Sequence, residues 1–70
     1  MSLKKAILKS FDADTYTAII QIAGSAKAYL ERVSVARNIS SGEMVAGRKV
    51  VVAFFDEHNT REAVVVSVWT

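Results

Sequence analysis

The sequence has no cysteine and no proline, and its one histidine is His58. Without cysteine no disulfide can staple the chain, and a zinc site of the ordinary thiolate or imidazole kind lacks its ligands. Charge of one sign is also in short supply: Lys+Arg 9 against Asp+Glu 7 leaves a net charge of +2, far from the dense positive field that draws a small protein to phosphate backbones. Long apolar runs are missing as well. Met1 to Lys5 is followed by only a few apolar residues before Lys9, too few for a secretory core or a membrane span, so a soluble chain is expected, with the cytoplasm as its compartment.

What remains is a chain of 70 residues, 51% of them apolar, which makes one small domain over residues 1–70. A domain of this size buries only about 60% of the surface its unfolded form exposes, so outside support is common. With disulfides and the usual metals excluded, association with other chains is the support left.

Valine and isoleucine are abundant, threonine and aromatics are interleaved, and leucine is scarce, which is the composition of strands. A first strand is expected over Lys4 to Phe11, closed by Asp12-Ala13-Asp14, whose short carboxylates accept bonds from amides two residues on. A second follows over Thr15 to Ala23, with Tyr16, Ala18, Ile20 and Ile22 on one face. Gly24-Ser25 suits a tight type II′ hairpin, and a third strand should start near Ala26. Its apolar set moves from Ala28 and Leu30 to Val33 and Val35, an even-to-odd slip that requires a bulge or bend near Glu31-Arg32. Ser40 to Val45 has the pattern of a short helical turn, with Ser40 and Glu43 spaced to cap each other's amides. Gly47 then admits a fourth strand, Arg48 to Phe55, and a polar loop leads to a fifth, Ala63 to Trp69. The expected fold is all-β: a small five-stranded Greek-key barrel of the OB type, with an SH3-like barrel as the close alternative, and one helical turn between strands three and four.

Glu43 to Asp56, followed by a polar loop and Ala63-Val64-Val65-Val66-Ser67-Val68-Trp69, resembles the closing hairpin of small OB-like barrels in phage tail, baseplate and spike proteins. The resemblance covers about the last third of the chain and consists of a glycine, a run of valines and an acidic loop. It implies an oligomeric structural component, often a trimer or a ring about an axis, without catalysis.

The last two strands carry the most information. Val50, Val52 and Phe54 alternate with Val51, Ala53 and Phe55, and Val64, Val66 and Val68 alternate with Ala63, Val65 and Trp69, so both faces of the hairpin are apolar. A barrel strand has one face inward, and the other should be polar where it meets water. Either the chain's own Met44-Val45 turn or N-terminus covers the outer face, or another protein chain does. The expected interface is Val51, Phe55, Val65 and Trp69, or its alternate-face equivalent. An uncovered valine-rich strand without proline is also an aggregation hazard, which favours a protein partner, as a homo-oligomer or within a larger assembly.

The alternative is a single-strand nucleic-acid module, since OB-type barrels stack bases on aromatics beside a basic groove. Its candidates are Tyr16, Lys27, Tyr29, Arg32 and Arg37, with Lys4, Lys5 and Lys9. Acids stand among them, and no aromatic pair occupies alternate positions of a strand. The plainer account is that the tyrosines pack with their hydroxyls at the rim. Catalysis has little to rest on: Asp56-Glu57-His58-Asn59 places a carboxylate beside an imidazole in a loop with no marked nucleophile. Asp12 and Asp14 fall short of the six to eight oxygens that calcium takes. The glycines form no phosphate cradle. No catalytic residue, cofactor, metal or membrane partner is expected.

Overall fold

The computed structural model describes residues 1–24, 29–56, 59 and 62–70. Five strands, β1 (Ser2–Asp12), β2 (Thr17–Ile22), β3 (Tyr29–Val35), β4 (Lys49–Phe54) and β5 (Ala63–Trp69), close into a barrel in the order β1-β2-β3-β5-β4. All neighbours are antiparallel except β3 and β5, which run parallel and pair Ser34 with Val64 and Val35 with Val65. The chain is thus all-β, with one 3-10 turn, Ser41–Glu43, between β3 and β4. Among the described residues no helix is long and apolar enough to cross a membrane.

Strand alternation puts one apolar set inside. Leu8, Ile20, Val50, Val52 and Val65 are the largest fully buried side chains. Three bulges adjust this alternation to the curvature of a closed barrel, as bulges do by adding twist and bend. In β1 the extra residue falls between Leu8 and Ser10. In β3 it falls at the Glu31-Arg32 step, where Arg32 takes φ +57°, and this carries the inward set from Leu30 to Val33 and Val35 as the sequence slip required. In β5 it falls at Val66, between the pairs Val52 with Val65 and Val51 with Ser67.

The β5 bulge corrects the expected interface. Val65 does not share a face with Val51: it lies opposite Val52 and is fully buried. The loop from β4 to β5 sets an even residue of β4 against an odd residue of β5 at Phe54 and Ala63 and again at Val52 and Val65. Beyond the bulge the parity changes, so that Val51 faces Ser67 and Lys49 faces Trp69. Val51 and Trp69 therefore do share the outer face, whereas Val65 is on the other side of the bulge and points inward.

The β3 to β4 connection closes one end of the barrel. Ile39 and Met44 are buried within the core cluster, while Val45 is exposed. The expected reciprocal capping is not formed: Ser40 Oγ accepts the Gly42 amide at 3.4 Å, the Glu43 amide donates to the Ser40 carbonyl at 3.0 Å, and the Glu43 carboxylate takes Arg48 Nη1 at 3.0 Å. At the first turn the Asp12 carboxylate accepts the Asp14 amide at 2.9 Å, so this aspartate pair shapes the turn as expected. The Gly24-Ser25 hairpin and the start of the third strand at Ala26 lie partly outside the described residues, as does the Asp56 to Asn59 loop motif with His58.

Candidate assembly interface

On the outside of the barrel, β1, β4 and β5 lie side by side and their outward residues fall in register. Leu3, Ala53 and Val64 form one row across the three strands; Lys5, Val51 and Ser67 form the next; Ile7, Lys49 and Trp69 form the third. One step beyond the first row, Phe55 donates its amide to the Glu62 carbonyl at 2.8 Å, which places Phe55 and Glu62 side by side at that end. Cross-strand neighbours of this kind are the unit by which sheet side chains interact.

The surface carries four apolar side chains open to water, with Lys5 and Ser67 exposed in its middle row. Leu3 is 63% exposed, Phe55 54%, Val66 40% and Trp69 39%. Ala53 is buried although it stands outside the core cluster, because the longer Leu3 and Val64 flank it on both sides. The β5 bulge contributes directly, since it turns Val66 outward beside Ser67. Together these side chains expose on the order of a few hundred Å² of apolar surface, the size of the largest patch on a typical monomer, which is often functional. Met44 is inside the barrel, so the Met44-Val45 turn does not cover this face, and β1 forms one side of it.

Three of the four interface residues read from the sequence are thus on one outer face: Val51, Phe55 and Trp69. Leu3, Val64 and Val66 join them without having been singled out. Leu3 belongs to the face because β1 begins at Ser2, two residues earlier than alternation alone suggests, and pairs with β4 as far as Phe54.

Among the described nucleic-acid candidates, Tyr16 and Arg37 contact each other, and Tyr29 and Arg32 are exposed on β3. Tyr16 is half-buried: its hydroxyl donates to the Ile39 carbonyl, the Phe11 ring meets it edge-on at 5.0 Å, and the Arg37 guanidinium covers its face at 5.1 Å. That ring and that arginine are engaged with each other, an attraction of the cation–π kind. Tyr29 is exposed on β3 opposite Gln21. Arg32 lines an open cleft of about 320 Å³ with Ser10, Asp12, Thr17 and Glu31, so two carboxylates share its surroundings. Lys27 lies outside the described residues. Compared with protein-family models, with curated proteins and with solved structures, the chain matches none of them.

Proposed function

We propose that the protein is a non-catalytic assembly module, a small barrel that associates with copies of itself through the outer face of β1, β4 and β5. One observation carries it: on the outer face of β1, β4 and β5, Leu3, Phe55, Val66 and Trp69 are exposed with Val51 and Val64 half-buried among them, on a domain of only 70 residues. At about 25 cal/mol per Å², covering a few hundred Å² per copy is a sizeable addition for a domain whose whole stability is on the order of 5–15 kcal/mol. The resemblance of the closing hairpin to barrels of phage tail, baseplate and spike proteins implies the same kind of role, with copies arranged about an axis.

Light scattering over micromolar protein concentrations tests the proposal. The wild-type chain is expected as a defined oligomer, and Phe55→Lys and Trp69→Lys are each expected to shift it toward monomer while far-ultraviolet circular dichroism still reports a folded barrel. A wild-type monomer throughout that range, or two variants that assemble as the wild type does, would overturn it.

A second reading is single-strand nucleic-acid binding. The closure order β1-β2-β3-β5-β4 with a turn between β3 and β4 resembles that of OB-type barrels, and Tyr29 and Arg32 are exposed on β3. Titration of labelled oligonucleotides decides it: affinity that falls steeply with salt supports it, and no binding at low salt removes it.

A further inference from the structure

On the outer surface of β1, β2 and β3, two of the bulges converge on one residue. In β1 the extra residue falls between Leu8 and Ser10, which pair with Ile20 and Ile19. In β3 the step through Glu31 and Arg32 falls opposite Ile19, between the pairs Ala18 with Val33 and Ile20 with Leu30. Ala18 and Ile20 are buried, so Ile19 between them points outward. It is the apolar member of an outward row whose other residues are Thr17 and Gln21. Beside it runs the open cleft of about 320 Å³ that Ser10, Asp12, Thr17, Glu31 and Arg32 help to line. A second cleft, of about 410 Å³, shares Asp12, Thr17 and Arg32 and adds Thr15.

Opposite charges share this surface without pairing. Among the described residues the Arg32 guanidinium makes no ion pair or hydrogen bond, and the carboxylates of Asp12 and Glu31 stay more than 4.0 Å from it. Asp12 Oδ1 accepts the Asp14 amide, which leaves its second oxygen for another donor. Arg32 also holds φ +57°, where glycine rests without strain and an L side chain does not. The bulge requires that conformation, but it does not require a guanidinium. Strain of this kind clusters where a side chain engages a ligand.

Two carboxylates disfavour a ligand that is purely anionic, and the guanidinium disfavours one that is purely cationic. A ligand with one charge of each sign satisfies both. A guanidinium takes a carboxylate through two parallel hydrogen bonds, and a carboxylate takes an ammonium. The cleft lies near the lower bound of about 300 Å³ for small-molecule sites, so the ligand must be small. We infer that this cleft binds a small zwitterion, an α-amino acid with an aliphatic side chain. Its carboxylate lies on Arg32, its ammonium on Asp12 or Glu31, and its side chain over Ile19. This site is separate from the face of β1, β4 and β5 and does not depend on the assembly role.

Titration of the isotope-labelled chain with L-leucine, isocaproate and isoamylamine, followed by amide chemical shifts, tests it. The last two are leucine without its ammonium and leucine without its carboxylate. Leucine is expected to shift the amides of Ile19, Glu31 and Arg32 along one saturating curve, with a dissociation constant on the order of 1 mM. Each half-ligand is expected to bind about tenfold or more weakly. Arg32→Gly suits the backbone and removes the guanidinium, so it is expected to stay folded by circular dichroism and to weaken leucine binding about tenfold or more. Asp12→Asn combined with Glu31→Gln keeps an acceptor for the Asp14 amide and removes both negative charges. That variant is expected to bind isocaproate as tightly as leucine. A wild-type chain that leucine does not saturate at tens of millimolar, or that binds either half-ligand as tightly, would overturn the inference. So would an Arg32→Gly variant that binds leucine unchanged, or a charge-neutralised variant that still prefers leucine tenfold.

Discussion

Gly47 leads the chain into β4 with φ +96°, a conformation that an L side chain adopts only under strain, although nothing stands within 4 Å of where its Cβ would be. Backbone geometry and not crowding therefore fixes glycine there. Its amide donates to the Leu8 carbonyl at 2.8 Å, so a change in its dihedrals would also disturb the join between β1 and the start of β4. Gly42 is the contrast: it has no positive φ, lies inside the 3-10 turn, and an added Cβ would meet only Ser40 Oγ at an ordinary 3.8 Å. Gly47→Ala is expected to lower stability by about 1–2 kcal/mol. Gly42→Ala is expected to raise it by about 0.5 kcal/mol, because the unfolded chain loses freedom at no cost in the native turn. Urea midpoints of the two variants check the pair, and equal shifts in one direction would contradict the distinction. Among the described non-glycine residues, Tyr16 and Arg32 also take positive φ, 55° and 57°. For Tyr16 the offset is visible in its hydroxyl bond to Ile39 and its contacts with Phe11 and Arg37.

At the scale of elements, β5 holds the sharpest contrast between neighbours. Val65 and Val66 are identical residues in the same strand, yet Val65 is fully buried against Val52 and Val66 is 40% exposed at the bulge. Val65→Ala is expected to cost about 2 kcal/mol, from lost burial and the cavity left behind. Val66→Ala is expected to stay within about 0.5 kcal/mol when unfolding is followed at protein concentrations low enough to keep the chain monomeric. Reversed magnitudes would mean that the bulge sits elsewhere. The same strand shows where legibility in the sequence ends. The β3 bulge was readable because its inward apolar residues, Leu30 and then Val33 and Val35, break step while polar residues mark the gap. In β5 every residue from Ala63 to Val66 is apolar, so a change of step leaves no trace in the pattern. Alternation alone then assigns Val65 to the wrong face, and pairing with β4 is what corrects it. Existence and order of the strands, by contrast, follow from composition and turn residues, which is why Ala63–Trp69 was readable to its last residue.

At the scale of the whole molecule the question is what supports so small a core. The Cα radius of gyration is 10.7 Å, close to the roughly 11 Å expected for a compact chain of this length. Its largest fully buried side chains are one leucine, one isoleucine and three valines, which bury less apolar surface each than aromatic rings would. In the proposed assembly, covering the exposed face of β1, β4 and β5 adds to what the core supplies. Association that favours the folded chain over the unfolded one stabilises by mass action, by about 2.7 kcal/mol when the free partner stands a hundredfold above the dissociation constant. For a domain of this size one kcal/mol moves the thermal midpoint by about 4–8 °C, so the effect is large enough to see. The midpoint is therefore expected to rise as protein concentration increases from about 1 to 100 μM, and Phe55→Lys is expected to flatten that dependence. Differential scanning calorimetry across the range distinguishes the cases. A midpoint independent of concentration in the wild type would mean that the barrel holds itself together alone, and the exposed apolar strip would then need an occupant other than a second copy.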